Sequence, residues 1–435
     1  MANEAKRAHA EPPTHVVVVG GGFGGLAAAR ALRRAPVRVT LIDRANHHLF
    51  QPLLYQVATS MLTPGQIGSP LRAMLRRQRN ATVLMGEVTD VDTARRCVFV
   101  DFADRTRVPI QYDQLVVATG GRHSYFGHDE FEPFAPGLKD LAGAVAIRNK
   151  ILQAFEQAEA EEDPSRHPEL LTFVLVGAGA TGVEMAGAIA GLVRTTLRLQ
   201  FRRIDPRSAR IVLVDMGKRV LGTFSEDLSG AARRRLERLG VEVRLGQGVD
   251  RIDAEGVVVG GERIGSRTVI WTAGVTPSAA GKWLGAGTDR AGRVRVQNDL
   301  SVPGHAEIFV IGDTASLDQD GRPLPGVAQV AMQQGRHVAR TIHRRVRGKP
   351  TSSAFRYFDK GNLAVIGPGF AVLQSHRLRI SGFIAWLAWA AVHIEFLAQS
   401  NLRVGVFLQW AWAAMTGQRG SQLVIPPRGP SPGAR

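Results

Sequence analysis

The chain has 435 residues, a length greater than one hydrophobic core usually organises, so we expect two or three domains. Its composition, 44% apolar and 21% charged, is that of an ordinary folded protein. Its net charge of +17 comes almost wholly from arginine and favours anionic partners. Because there is no zinc-finger spacing, RNA-recognition signature or concentrated basic helix, the sequence argues against a nucleic-acid partner. The single cysteine, Cys97, excludes an internal disulfide and therefore disulfide-reductase chemistry within one chain.

The first predicted elements follow a polar leader, residues 1–14, that lacks the apolar segment of a secretory signal. "HVVVVGGGFGGLAAARALRR" predicts a strand, a glycine turn and a helix, and "VRVTLID" predicts the next strand. Gly20, Gly22 and Gly25 fit G-x-G-x-x-G, in which glycines let a pyrophosphate approach a helix N-terminus. Asp43 ends the second strand, where a carboxylate can accept hydrogen bonds from a ribose diol. This pattern predicts a dinucleotide site, and the alternative is a purely structural turn.

The same pattern recurs in "LTFVLVGAGATGVEMAGAIAGLV" and "ARIVLVD". Gly177, Gly179 and Gly182 repeat the motif, but the matching acid, Asp215, comes much later than in the first unit, and a longer helix and the loop "FRRIDPRS" account for the gap. Asp215 would repel a 2′-phosphate, so the second site favours NADH over NADPH, although two basic residues follow it closely. Two sites in one chain indicate a tightly held flavin and an exchangeable nicotinamide that passes it a hydride.

Two further strands, "VVATGG" and "EIFVIGD", end in small residues, the second followed by an acid. Small residues let backbone approach a cofactor, and the acid could bind a hydroxyl of a flavin ribityl chain. Either strand end alone is a weak signal, but their order after the first glycine turn strengthens it. The residues concerned are Ala118, Thr119, Gly120, Gly312 and Asp313.

The last part of the chain contains two short apolar segments, "FIAWLAWAAVHIEFL" and "VGVFLQWAWAAM", separated by a polar link containing "SNLR". Each is too short to cross a membrane as a helix, and Glu395 lies within the first. Four tryptophans and nearby arginines predict helices that lie at a membrane surface and meet anionic lipid. The alternatives are a buried helical hairpin and a dimer interface. Residues 425–435 are predicted to be disordered.

Four segments together resemble a known family: "NHHLFQPLLYQVATSMLTPGQIGSPLR", "GAGATGVEMAGAIA", "VIGDTAS" and "VAQVAMQQGRHVA". They look like signature segments of the type II, single-subunit, non-proton-pumping NADH:quinone oxidoreductases, which are FAD-dependent and related to the pyridine nucleotide-disulfide oxidoreductases. The resemblance runs from about Val16 to about Leu423 and includes the tail, which looks like the C-terminal anchor of bacterial members.

The resemblance implies an α/β fold with two Rossmann-like dinucleotide-binding domains and a short C-terminal helical membrane-anchoring module. The FAD-binding domain would be discontinuous. The implied bounds are 15–140 and 295–380 for the FAD-binding domain, 141–294 for the NADH-binding domain and 381–424 for amphipathic helices at the membrane surface.

The resemblance also implies cofactor contacts. For FAD these include backbone at Val88 for the adenine, and they comprise Gly20, Gly22, Phe23, Gly24, Gly25, Asp43, Arg44, Val88, Ala118, Thr119, Gly120, Gly312, Asp313, Ala328 and Gln329. For NADH they comprise Gly177, Gly179, Gly182, Glu184 and Asp215. No metal site is expected.

Three residues are candidates for catalysis by the same resemblance. Gln329 and Gln333 match the family's A-Q-x-A-x-Q motif, one helical turn apart, where their amides could hydrogen-bond quinone oxygens; the alternative is a pair of helix-surface glutamines. We expect Glu184 in the first turn of its helix, where the family places an acid linked to proton handling. His47 and His48 are weaker candidates for quinone protonation.

The implied activity is oxidation of NADH by hydride transfer to FAD and reduction of a membrane quinone to quinol without proton pumping. The implied partners are the membrane quinone and an anionic phospholipid surface, with the protein peripheral on the cytoplasmic face of the cell membrane; a homodimer is left open. One alternative is a soluble FAD-dependent reductase of a small electron-carrier protein. Another is a redox-responsive protein that binds FAD and NADH without rapid turnover.

Overall fold

The computed structural model describes residues 12–351 and 354–424. The predicted disordered tail and most of the predicted leader lie outside the described residues. The helices, in chain order, are α1 Phe23–Ala31, α2 Leu54–Ala58, α3 Pro64–Ile67, α4 Leu71–Leu75, α5 Leu141–Ala160, α6 His167–Leu170, α7 Ala180–Gly191, α8 Glu226–Arg238, α9 Ala280–Trp283, α10 Ala328–Val346, α11 Phe383–Phe396 and α12 Ser400–Thr416.

The strands in the first half of the chain are β1 His15–Val19, β2 Arg38–Asp43, β3 His47–Leu49, β4 Gly68–Pro70, β5 Ala81–Met85, β6 Glu87–Asp92, β7 Cys97–Asp101, β8 Val108–Gln111, β9 Gln114–Val117, β10 Gly121–His123, β11 Thr172–Val176 and β12 Arg210–Asp215. Those in the second half are β13 Val241–Leu245, β14 Val249–Asp253, β15 Gly256–Val259, β16 Glu262–Gly265, β17 Thr268–Trp271, β18 Val275–Pro277, β19 Val294–Arg295, β20 Ser301–Val302, β21 His305–Val310, β22 Ala315–Ser316, β23 Asp318–Gln319, β24 Arg322–Pro323, β25 Asn362–Val365, β26 Ala371–Ser375 and β27 Leu378–Gly382.

The chain divides into two compact units. Unit 1 contains the chain up to His48, Ser69–Arg122 and Thr276–Asp359. Unit 2 contains Leu49–Gly68, His123–Val275 and the chain from Lys360 onward.

Unit 1 is built on a six-stranded sheet in the order β20-β21-β9-β1-β2-β5. All neighbours pair in parallel except β20, which is antiparallel at one edge. Both faces of β1 are covered, since Val16 and Val18 pack into a core cluster with residues of α1 and α10, while Val17 and Val19 pack into another with residues of β6 and β7. This explains why β1 is apolar throughout instead of alternating.

Unit 2 contains a four-stranded parallel sheet in the order β13-β12-β11-β17. Its central strand β11 is entirely buried, and α7 follows it directly. Two antiparallel three-stranded sheets, β14-β15-β16 and β25-β26-β27, also belong to this unit. The sequence thus predicted both βαβ units correctly, because an apolar run, a glycine turn and a small-residue helix are local signals.

The contact-based units differ from the predicted domain bounds at four places, one of which is residues 123–140, which belong to unit 2. Residues 360–380 belong to unit 2, because β25 packs on α7 while β26 and β27 pack on α8 and α11. Residues 49–68 also belong there, because α2 packs on α5 and α7. The segment 276–294 belongs to unit 1, because α9 packs on β6. Which cofactor each predicted domain binds stays a prediction.

The tail consists of α11 and α12, joined by residues 397–399. The predicted link "SNLR" is therefore the start of α12, and α12 ends at Gly417, which adopts a left-handed conformation at φ 70°. The expectation that all four tail tryptophans lie at a surface is wrong for one: Trp389 is buried, packed against Trp410 at 5.1 Å between ring centroids. In the part of the chain that the structure describes, every helix is too short or too polar to cross a membrane.

Candidate functional site

The first glycine turn of unit 1 connects β1 to α1. Gly20 has φ 101°, and a side chain there would overlap the carbonyl oxygen of Ala118; one at Gly25 would overlap the carbonyl oxygen of Gly20. Gly22 is the N-cap of α1, and no atom lies within 4 Å of where its Cβ would be. The turn is therefore closed on its inner side and open in front of the helix N-terminus, which fits the pyrophosphate of a dinucleotide.

Asp43 ends β2 and braces this turn. Its Oδ2 accepts a hydrogen bond from the backbone N–H of Gly21 at 2.5 Å, and its Oδ1 accepts one from Ala45 at 2.7 Å. Each carboxylate oxygen has two lone pairs, so a second acceptor direction stays available to a ribose hydroxyl. Arg44, predicted beside it, is exposed.

His48 also supports the turn. Its Nδ1 donates to the carbonyl oxygen of Gly21 at 2.9 Å, and its ring contacts that of Phe23 edge-on at 5.0 Å between centroids. Burial lowers the pKa of His48, so the ring is neutral with its proton on Nδ1. His47 is partly exposed and contacts Asn46. A role for either in quinone protonation stays a prediction.

The predicted strand ends Ala118–Gly120 and Gly312–Asp313 reach the same edge of the sheet as the turn, because β9 pairs in parallel with β1 and β21 pairs in parallel with β9. The Thr119 hydroxyl lies 2.5 Å from that of Ser278. Thr314 donates its hydroxyl to the carbonyl oxygen of Gly120 at 3.1 Å. Ser278 and Thr314 are not among the predicted site residues, because only the folded structure brings them to this edge.

Gly312 has φ 74°, and its N–H donates to Oε1 of buried Gln334 at 2.7 Å. Gln334 was also missed, although it stands next to Gln333 in the glutamine motif. It joins α10 to the strand end.

Gln329 and Gln333 lie near the start of α10, as predicted, and both are partly buried. The amide of Gln333 is held at both ends by one residue: its Nε2 donates to the carbonyl oxygen of Phe358 at 2.9 Å, and its Oε1 accepts from the N–H of Phe358 at 3.0 Å. A quinone contact by Gln333 would use its remaining N–H or lone pair.

Val88 is buried in β6, and a β-bulge separates it from Asp90 in the pairing with β7. The bulge takes the backbone of Thr89 out of the ladder. The predicted contact of this backbone with an adenine stays a prediction.

The second glycine turn, in unit 2, repeats the construction of the first. Gly177 has φ 108°, a side chain at Gly182 would overlap the carbonyl oxygen of Gly177, and Gly179, the N-cap of α7, faces open space. Asp215 accepts from the N–H of Ala178 through Oδ2 at 2.5 Å and from that of Gly217 through Oδ1 at 2.6 Å. Both acids thus hold their turns while keeping lone pairs for a ribose.

The loop that increases the sequence spacing between the second glycine turn and Asp215 is held by one carboxylate. Glu159 on α5 accepts hydrogen bonds from the backbone N–H groups of Arg202, Arg203 and Ile204 at 2.9 to 3.2 Å. The insertion is therefore a fixed part of unit 2.

Glu184 lies in the second turn of α7, and the expectation of a first-turn position is wrong, because α7 begins at Ala180. Burial raises the pKa of Glu184 to about 8, although the N–H of Val365, 3.4 Å from Oε1, acts in the opposite direction. The carboxyl is therefore mainly protonated at neutral pH, as suits a group that gives or takes a proton near that pH.

Comparisons with known proteins extend these observations. A family model described as pyridine nucleotide-disulphide oxidoreductase matches residues 14–335. A type II NADH:quinone oxidoreductase of Mycobacterium tuberculosis is 44% identical over 96% of this chain and 91% of its own length, and a second one from that organism is 43% identical over 94% and 89%. The solved structure of NDH2 from Plasmodium falciparum in complex with NADH has a TM-score of 0.85 at 18% identity, covering 94% of this chain and 99% of that one.

Proposed function

Because this chain belongs to the type II NADH:quinone oxidoreductases, within the pyridine nucleotide-disulphide oxidoreductase family, we propose that it oxidises NADH and reduces a membrane quinone to quinol without pumping protons. The observation that carries the proposal is the pair of glycine turns, each open in front of a helix N-terminus and braced by the acid at the end of the next strand. Bound FAD would accept the hydride of NADH and pass two electrons to the quinone. Since the chain contains one cysteine, a disulfide relay within it is not an alternative.

The residues of unit 1 suit FAD. Gly20, Gly22 and Gly25 leave room for the pyrophosphate, and Asp43 can accept from the ribose. The strand ends Ala118–Gly120 and Gly312–Asp313, at the same sheet edge, would take the rest of the cofactor. The residues of unit 2 suit NADH, because a carboxylate at Asp215 binds a ribose diol and repels a 2′-phosphate.

We also propose the roles of the catalytic candidates. The amides of Gln329 and Gln333 would hydrogen-bond the quinone, with Gln333 oriented by the backbone of Phe358. Glu184, with its raised pKa, would exchange protons during turnover.

A peripheral position on the cytoplasmic face of the membrane is a further part of the proposal. α11 and α12 expose large apolar side chains, among them Ile384, Leu387, Phe407, Leu408 and Trp412. A quinone with a long apolar tail stays in the bilayer, so an enzyme that reduces it has to reach the membrane surface. The net charge of +17 would add attraction to anionic lipid.

The test is a pair of half-reactions on the purified holoenzyme. NADH added without oxygen should bleach the flavin absorbance, and a short-chain ubiquinone or a menaquinone analogue should restore it. Protein without bound flavin, or flavin that NADH fails to bleach, would refute the proposal. Reoxidation by a small iron–sulfur carrier protein and not by any quinone would instead support a soluble reductase.

Asp43→Asn tests the FAD site. It should lower the flavin content of the purified protein, because an amide NH2 would replace one of the two oxygens that accept backbone N–H groups. Asp113→Asn is the matched control: Asp113 accepts from the N–H of His15 through one oxygen, at the opposite end of β1, and an asparagine oxygen can keep that bond. Equal flavin loss in both variants would contradict the role of Asp43.

A further inference from the structure

Three side chains of unit 2 form a hydrogen-bonded chain from α12 to α2. The indole Nε1 of Trp410 donates to Oε1 of Gln56 at 2.7 Å, and Nε2 of Gln56 donates to the hydroxyl oxygen of Tyr55 at 2.9 Å. Tyr55 and Gln56 are each at most 6% exposed. The chain therefore runs through the interior and ends at a buried hydroxyl.

The direction of this chain follows from its first member. An indole N–H can only donate, so the oxygen of Gln56 has to face Trp410 and its NH2 has to face Tyr55. The hydroxyl of Tyr55 therefore accepts from Gln56, and its own hydrogen points elsewhere. Among the described residues this hydrogen has no acceptor.

A buried donor without an acceptor is costly, and native structures leave few of them. Tyr125, another buried tyrosine of unit 2, donates its hydroxyl to the carbonyl oxygen of Ala135 at 2.9 Å. Tyr55 differs because its neighbour supplies a donor where an acceptor would be needed. An unpaired buried donor of this kind needs an explanation, and a ligand that supplies the acceptor is one such explanation.

The surroundings keep Tyr55 un-ionised. Burial raises its pKa well above the ordinary value, and the nearby carboxyl of Glu184 raises it further. The hydrogen bond from Gln56 and the buried Arg419 lower the pKa without reversing this. Tyr55 is thus a neutral hydrogen-bond donor that keeps its proton, suited to a neutral carbonyl oxygen.

We propose that the Tyr55 hydroxyl donates a hydrogen bond to a carbonyl oxygen of the quinone, and that Gln56 and Trp410 are positioning residues that aim it. The inference rests on the proposed function. The location of the three hydrogen-bonded side chains favours the quinone over the nicotinamide. The first of these side chains, Trp410, lies on α12. Phe407, Leu408 and Trp412 of the same helix are exposed and belong to the apolar surface that we propose meets the membrane, which holds the quinone. Negative charge develops on the quinone oxygens during reduction, so a hydrogen-bond donor beside one of them would stabilise the transition state.

Tyr55→Phe is the direct test, with the two half-reactions measured separately by stopped-flow on the holoenzyme. kcat/KM for a short-chain ubiquinone should fall about tenfold, the loss expected for one hydrogen bond at the reacting oxygen. The rate at which NADH bleaches the flavin should stay within about twofold of wild type. Tyr125→Phe is the matched control, because Tyr125 is also buried in unit 2 but its hydroxyl already donates to the carbonyl oxygen of Ala135.

Unchanged quinone kinetics in Tyr55→Phe would overturn the proposal, and so would an equal loss in both half-reactions or a loss confined to NADH. If wild type itself fails to pass electrons to any quinone, the proposed function fails, and this result is distinct from a difference between variants. Flavin content and thermal unfolding establish that the variants are folded, and loss of the fold in Tyr55→Phe would itself assign the hydroxyl a structural role and overturn the proposal.

Trp410→Phe tests whether the chain acts through Tyr55. On its own it should weaken quinone turnover, because the amide of Gln56 is then free to reverse and present an acceptor to Tyr55. In a Tyr55→Phe background it should cause no further loss. If the two losses multiply, Trp410 acts independently of Tyr55 and the positioning role is wrong.

Discussion

Burial determines the charge of Glu184 more than its place along α7 does. A carboxylate in the first turn would be favoured by the helix dipole, but Glu184 lies one turn further on and its pKa is raised to about 8. The folded protein therefore holds a proton that the unfolded chain releases above the ordinary glutamate value of 4.5. This links the stability of the protein to pH.

Glu184→Gln should remove a pH dependence of stability. With the folded pKa above the unfolded one, stability from this group is fully present below about pH 4.5, falls as pH rises and levels off above about 8. The Tm of wild type should therefore decline relative to that of Glu184→Gln between pH 5 and pH 9. Thermal unfolding of both proteins across this range measures the difference.

Glu159→Gln provides a control of opposite sign. Although partial burial opposes it, three backbone N–H groups hold the pKa of Glu159 below its ordinary value. Its contribution to stability is present above the ordinary pKa and is lost as pH falls. Parallel Tm curves for wild type and Glu184→Gln would contradict the assignment of Glu184 as a partly buried, protonated acid.

At the scale of elements, α1 and α10 of unit 1 approach closely through glycine. A side chain at Gly335 would overlap the carbonyl oxygen of Gly24, and one at Gly24 would press on Ile311 and the carbonyl oxygen of Ala331. Gly24, predicted from the family resemblance as an FAD contact, thus has a packing role as well. This close approach fixes the distance between α10 and α1, and with it the position of Gln329 and Gln334 relative to α1.

Gly335→Ala should destabilise the protein by about 1–3 kcal/mol, since the new methyl group forces the two helices apart. Flavin content should fall with it, because Gln334 would lose its position at Gly312. Gly405→Ala is the matched control in α12, because a Cβ at Gly405 has no atom within 4 Å. It should leave the free energy of unfolding unchanged or raise it by up to about 1 kcal/mol through helix propensity. Chemical denaturation of both variants is the measurement, and similar effects would refute the packing argument.

At the scale of the whole molecule, the tail is anchored in unit 2 on its inner side and apolar on its outer side. Beyond α12, the buried guanidinium of Arg419 donates to the carbonyl oxygens of Thr59 and Ala188 at 2.7 and 2.9 Å. Gly191 leaves the room for it, since a Cβ there would lie 2.9 Å from Nη2. Removing the tail would take away these contacts and those of Trp389 and Trp410, so point changes on the outer side separate lipid binding from folding.

Ile384→Glu combined with Phe407→Glu should weaken sedimentation of the protein with phosphatidylglycerol vesicles. Both side chains are exposed, and a carboxylate there cannot enter the headgroup region without losing hydration. Leu199→Glu, a change to a leucine of unit 2 that is 76% exposed outside the tail, should leave binding as in wild type. Raised salt should reduce the binding of all proteins to the anionic vesicles more than to phosphatidylcholine.

Equal vesicle binding by the double variant and Leu199→Glu would contradict the anchor. If the double variant also changed from dimer to monomer on size exclusion, the outer face of α11 and α12 would be an interface between two copies of the chain. The sequence is compatible with both a membrane-surface anchor and a dimer interface at this face.

The sequence alone predicts the two glycine turns, their acids and the order of the elements around them, because these depend on local periodicity and on the conformational freedom of glycine. It could not show that Glu184 is partly buried, that Trp389 faces inward, or that Gln334, Ser278 and Thr314 belong to the site, because these outcomes depend on contacts between distant parts of the chain. The chain from Trp410 through Gln56 to Tyr55 is the clearest case. Trp410 is separated from Tyr55 and Gln56 by most of the sequence, and only the tertiary structure, which brings Trp410 to Gln56, gives the hydroxyl of Tyr55 a direction.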